Sequence, residues 1–169
     1  MIISKNNPTW FDLLSFIKLK DPSFLNTVKG VPLADIEECE ESYSITLPKI
    51  YKDFLVTMGA DSGELYPFEK NRIARFYENM DDLSTEAENY PEIRFFKIAE
   101  NFSTSGISSC ALYIDLARSD GNDAPLIESE DYFMYNFNEE YSSEDYIIQQ
   151  KLTLVQQLAS RIFIFFEFR

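Results

Sequence analysis

Histidine is absent from the 169 residues, and with it go the usual general base near neutral pH, the proton relay and the commonest nitrogen ligand for zinc. Cysteine is scarce: Cys39 and Cys110 stand far apart, each within an apolar pattern, which favours buried reduced thiols over a disulfide or redox pair. Only five glycines occur, and none belongs to a phosphate-cradling loop. No stretch reaches the ~18 consecutive apolar residues of a membrane span. The start Met1-Ile2-Ile3-Ser4-Lys5-Asn6 lacks the basic-then-apolar order of a secretory leader, so a cytoplasmic location is expected.

Positive charge is the other shortage. Fifteen bases against 29 acids give a net charge of −14, and the imbalance is uneven. Residues 1–75 carry 11 acids and 9 bases, whereas residues 76–169 carry 18 acids and 6 bases. Between Ser119 and Gln150 there are nine acids and no base. Nucleic acid is excluded as a partner, because phosphate contacts need clustered Lys and Arg. Carboxylate pairs are the sole acid–base resource, and with 29 acids some pair always falls ~5–9 Å apart, so a carboxylate hydrolase ranks last among the functions considered. A metal site at Asp115, Asp120 and Asp123 is discounted likewise: Asp120-Gly121-Asn122-Asp123 places glycine wrongly for an EF-hand loop and reads as a turn. Neither cofactor nor metal is expected.

What is present is apolar periodicity. With 45% hydrophobic content, a chain of this size buries roughly 70% of its unfolded surface, and residues 1–169 are expected to form one domain. Trp10, Leu13, Leu14 and Ile17 recur at helical spacing after Thr9 and predict a helix to about Leu19, ended by Asp21-Pro22. Leu33, Ile36, Cys39 and Tyr43 predict a second, with Asp35, Glu37, Glu38 and Glu41 outward. A third runs between Pro48, at the first helical position, and Gly59, suited to a left-handed end. Its Tyr51, Phe54, Leu55 and Met58 form the buried stripe, and Lys49, Lys52 and Asp53 are left to solvent.

Leu65–Phe68 and Ile73–Tyr77 read as short strands or strand-like loops, and Asn79–Tyr90 as weakly helical. Strands are predicted at Ile93–Ala99, at Cys110–Leu116 and Ala124–Glu128 flanking the Asp120–Asp123 turn, and at Tyr132–Phe137. Ser142 and Asp145 resemble a capping box, and Ile148, Leu152, Val155, Ala159, Ile162 and Phe166 repeat at spacings of 4, 3, 4, 3 and 4, predicting one long C-terminal helix. Its Phe-rich end is more apolar than one buried face needs, and either enters the core or covers a partner.

The run Ile36-Glu37-Glu38-Cys39-Glu40-Glu41, then Leu47-Pro48, Tyr51, Phe54-Leu55 and Gly59 resembles the signature of the SUKH superfamily (Smi/Knr-like). Weaker similarities bring the span to roughly residues 33–165. Two loops depart from the pattern: the usual glycine doublet is split into Gly59 and Gly63, and a common Gly-Asp pair is replaced by Ser105-Gly106-Ile107. The resemblance implies an α+β fold, a twisted mixed or antiparallel sheet packed by N-terminal helices and a long C-terminal helix. It also implies a non-enzymatic role, most often as a bacterial immunity protein that neutralises a toxin, frequently a nuclease. The alternative is an intracellular Smi/Knr-type regulator or scaffold. Glu40 matches a family position and is expected to hydrogen-bond the following loop.

A nuclease site is basic because it accepts phosphates, and an acidic inhibitor complements it. The expected partner-binding residues are Glu128, Glu130, Asp131, Tyr132, Tyr135, Glu139, Glu140 and Tyr141, where rings interleave with acids, joined by Glu78, Asp81 and Asp82. Charge runs are more commonly solvated faces, and alternating rings are commonly half core. The expected partner is a basic toxin, with the chain itself a monomer or weak dimer.

Overall fold

The computed structural model describes residues 8–63, 65, 76, 94–99, 110–130 and 148–167. Helix α1 is Trp10–Lys20 and opens on a capping box, the Thr9 hydroxyl accepting from the Asp12 N–H while the Asp12 carboxylate accepts from the Thr9 N–H. That bonding holds the Asp12 carboxyl below its ordinary value. Trp10, Leu13 and Ile17 are buried, as their spacing requires. A 3₁₀ turn at Phe24–Asn26 leads to α2, Leu33–Tyr43, and α3 follows at Lys49–Met58.

Three local details differ from expectation. Pro48 sits one place before the first helical residue of α3, at φ −57 and ψ 140, a shift within the ordinary uncertainty of helix ends. Gly59 lies at φ −73 and not in the left-handed region, because its N–H still bonds the Leu55 carbonyl in the helical sense. Among the described residues other than glycine the left-handed position is Ser44, φ 52, closing α2. Leu33, read as buried, is 51% exposed as the first residue of α2.

The chain reaches α2 through a close crossing. The Val31 N–H donates to the Leu55 carbonyl at 2.9 Å, and a Cβ on Gly30 would fall 1.8 Å from the Val56 carbonyl oxygen. Only glycine lets these two backbones meet.

Among the described residues the sheet is a four-stranded antiparallel meander, β1 (Phe95–Ala99), β2 (Cys110–Asp115), β3 (Pro125–Glu130) and β4 (Ile148–Thr153), in that spatial order. Phe96, Ile98, Leu112, Ile114 and Leu126 join the helices in one core, while Tyr113, packed with Phe95, is buried on the opposite face. Between β2 and β3 the predicted turn is present, with Gly121 at φ 86 and Asp120 Oδ1 accepting from the Asn122 and Asp123 N–H groups. These bonds hold the Asp120 carboxyl below its ordinary value.

Helix α4, Leu154–Glu167, is shorter than predicted, because Ile148–Thr153 pairs with β3 as β4. In Ile148-Gln149-Gln150-Lys151-Leu152-Thr153 the two apolar residues stand four apart, a spacing that strand and helix both allow, and sheet pairing decides. The helix start is marked by the Thr153 N–H donating to Gln156 Oε1 at 3.1 Å. The Phe-rich end enters the core: Phe166 is buried and meets Phe24 at 5.2 Å between ring centroids, and Phe163 meets Phe16 at 4.7 Å, both edge-on. Of Ile73–Tyr77 the structure describes Phe76 alone, which is helical and buried rather than extended; a short apolar run does not distinguish the two. The expected elements at Asn79–Tyr90 and Tyr132–Phe137 lie outside the described residues.

Candidate functional site

Of the expected partner-binding residues, Glu128 and Glu130 fall in β3, with Glu128 opposite Leu112 and Ile148 and Glu130 opposite Cys110. Asp131, Tyr132, Tyr135, Glu139, Glu140, Tyr141, Glu78, Asp81 and Asp82 lie outside the described residues.

The site that the described residues do assemble is helical. Trp10 and Leu14 of α1, Leu33, Glu37 and Glu40 of α2, and Lys49, Lys52, Asp53, Val56 and Thr57 of α3 surround an open groove of about 430 Å³. Trp10 is pinned at its base: its indole N–H donates to Thr57 Oγ1 at 3.0 Å, and its ring meets Phe54 edge-on at 5.7 Å. Leu33 and Val56 are 51% and 46% exposed at the groove edge.

Glu40 joins α2 to α3. One carboxylate oxygen accepts from the Leu47 N–H at 2.6 Å, and both accept from the Lys52 ammonium at 3.1 and 3.2 Å. The Leu47-Pro48 corner is thereby fixed, as the sequence implied for Glu40. Lys52, expected in solvent, is instead half-buried in that pair, and Lys49 pairs with Asp53 one helical turn on. The groove is an open apolar recess whose two lysines are paired and whose Glu37 is in no ion pair among the described residues, with no nucleophile–base arrangement among its lining residues.

A family model described as SMI1 / KNR4 family (SUKH-1) matches residues 30–150, from the Gly30 crossing through α2, α3 and the sheet into β4. The chain belongs to this family. SMI1/KNR4 proteins of the SUKH class are in general non-enzymatic and immunity-protein-like. No curated protein and no solved structure matches the chain.

Asp115, Asp123 and Cys39 of this SMI1/KNR4 fold have structural surroundings. Asp115 is fully buried and receives two bonds from Arg94, at 3.1 Å each, and one from Arg118 at 2.6 Å. Burial alone would raise its carboxyl, but the two guanidinium groups outweigh it and hold it below the ordinary 3.8. Asp123 Oδ1 accepts from the Ala124 and Val155 N–H groups, tying the β2–β3 turn to the start of α4. Among the described residues no group of three His, Cys, Asp or Glu could hold a metal ion. Burial, with Glu40 adjacent, pushes the Cys39 thiol up to about 12, which makes it a core residue and not a nucleophile. Among the described residues no helix is long and apolar enough to cross a membrane.

The sequence singled out no groove, although its parts were visible. Leu33 and Val56 were the available signals: each lies at the margin of its helix's apolar stripe, and each contributes exposed apolar surface beside charged neighbours.

Proposed function

We propose that this SMI1/KNR4-family chain is a bacterial immunity protein that acts in the cytoplasm, binding a cognate toxin and blocking it without catalysis. The observation that carries the reading is the one-signed stretch from Ser119 to Gln150, nine acids and no base, with Tyr132, Phe133, Tyr135, Phe137 and Tyr141 among them. Family membership supports the same reading. A toxin that cleaves nucleic acid must present a basic cleft, and an acidic surface both steers the encounter and penalises neutral or acidic competitors. Aromatic side chains supply the desolvated anchors on which affinity rests. The contact residues are drawn from Glu128, Glu130, Asp131, Tyr132, Tyr135, Glu139, Glu140 and Tyr141, with Glu78, Asp81 and Asp82 beside them.

The test is co-expression with a toxic C-terminal domain taken from a neighbouring gene that encodes one. Growth is rescued by the wild-type chain, and a stable complex is recovered. Changing Glu130, Asp131, Glu139 and Glu140 together to Lys weakens the complex by at least about a hundredfold at low salt, from several charge pairs turned repulsive. Unchanged affinity in that variant would discard the acidic surface. Absence of both rescue and complex would discard immunity in favour of a Smi/Knr-type regulatory role.

A further inference from the structure

The groove between the first three helices combines an apolar floor with an acidic wall. Single exposed aliphatic residues are ordinary on protein surfaces. Here Leu33 and Val56, each about half exposed, border the same recess of about 430 Å³ over Trp10 and Leu14. A recess of that volume with an apolar floor is large enough to seat the side chains of a partner.

The charge around it selects the occupant. Helix α2 carries Asp35, Glu37, Glu38, Glu40 and Glu41 and no base. The two lysines at the groove are already taken, Lys52 by Glu40 and Lys49 by Asp53. Among the described residues Glu37, Glu38 and Glu41 have no ion pair, and all three are exposed. These acids are also poorly placed for the helix itself. Glu37 and Glu41 stand one turn apart and repel, and the last turn of α2, where the helix dipole favours cations, contains no base. A helix arranged for its own stability would have Lys or Arg there, and local rules of this kind are broken where binding requires it.

We infer that the groove is a docking site for a basic amphipathic helix of a protein partner. Its apolar side chains, spaced i, i+3, i+4 and i+7, lie between Leu33 and Val56 over Trp10, and its Lys and Arg residues meet Glu37 in the groove lining and Glu41 one helical turn further along α2. Anionic membrane surfaces and nucleic acids carry the wrong charge for this wall. The inference is separate from the toxin reading, since the groove lies in the helical layer and its test contains no toxin.

Trp10 is the chain's single tryptophan, so its emission reports what enters the groove. The probe is a synthetic peptide of about four helical turns with Leu at the four anchor spacings and Lys on its polar face. A scrambled peptide of the same composition and a version with Glu for Lys serve as controls. The helical Lys peptide gives a saturable change in Trp10 emission. The scrambled peptide binds at least about tenfold more weakly, and the Glu version does not bind. Leu33→Asp and Val56→Asp each weaken binding at least about tenfold while leaving the far-ultraviolet circular dichroism unchanged. Glu37→Lys combined with Glu41→Lys weakens binding but raises the thermal midpoint, a pair of opposite signs that a merely structural role cannot produce. Equal binding of helical and scrambled peptides, or indifference to both Asp variants, overturns the proposal. So does a wild-type dimer in light scattering that Val56→Asp dissociates, which would make the occupant a second copy of the chain.

Discussion

Glu40 shows how one carboxylate can set an angle between helices. It sits on α2, yet it satisfies the Leu47 N–H at the corner before α3 and the Lys52 ammonium within α3. Both partners are partly withdrawn from water, so the pair exceeds the near-zero worth of a surface salt bridge. Glu40→Ala is expected to cost about 2–3 kcal/mol in urea unfolding, and Glu40→Gln, which keeps an acceptor for the amide, about 1 kcal/mol. Equal losses would mean that the amide acceptor contributes nothing beside the Lys52 pair, and a Gln variant as stable as wild type would mean that the Lys52 charge contributes nothing. Asp115 supplies a pH-dependent counterpart. Its folded carboxyl titrates below the ordinary 3.8, so its stabilisation is complete above that value and is lost as the pH falls through the lower, folded value. Asp115→Asn is expected to cost about 2–4 kcal/mol at neutral pH, because two guanidinium groups lose their shared anion. The gap between wild type and variant should stay constant above about pH 5 and narrow below 3.8. A gap that is flat across that range would mean that the carboxyl is not held ionised by its arginines.

Elements in this fold are joined end to end by a single turn. The carbonyls of Gly121 and Asn122 accept from the Lys49 and Ile50 N–H groups at the start of α3, at 3.0 and 2.9 Å. The neighbouring Asp123 accepts from Val155 at the start of α4. One sheet corner therefore serves the otherwise unpaired amides of two helices. Asp123→Ala is expected to lower stability by about 1–2 kcal/mol, the usual worth of a helix cap, and to speed amide exchange at Val155 above all. Uniform acceleration along α4 would argue against a local cap. The sequence made α1, α2 and α3 legible, because each shows a 3.6-residue apolar period, with Thr9 before α1 and Pro48 before α3 as end signals. It also disclosed the β2–β3 corner through Asp120-Gly121-Asn122-Asp123. The β4–α4 boundary was not visible in periodicity, since Ile148 and Leu152 extend the spacing of α4 backward without a break. The informative mark was Thr153-Leu154-Val155-Gln156, a capping pattern that the Ser142–Asp145 pattern masked. The groove was harder to foresee, because it depends on how three helices cross. That crossing is set by contacts such as Gly30 against Val56, which no local pattern encodes.

At the scale of the whole molecule the dominant property is a net charge of −14, with 18 acids and 6 bases in residues 76–169. Such a field destabilises the compact state by self-repulsion, yet it draws a cationic partner in from beyond contact distance. The two effects respond oppositely to salt. Screening relieves the repulsion, so the thermal midpoint of the free chain should rise as ionic strength increases from about 10 to 150 mM, over which the Debye length shrinks from about 30 to 8 Å. Over the same interval the association rate with a basic partner should fall by about tenfold or more, while the dissociation rate changes far less, because long-range attraction shapes the encounter and short-range packing holds the complex. Stopped-flow mixing with a basic toxin domain, monitored at both ionic strengths, measures the two rates separately. An association rate indifferent to salt would show that the acidity serves solubility alone, whereas a salt-sensitive dissociation rate would place ion pairs at the centre of the contact in place of the aromatic anchors.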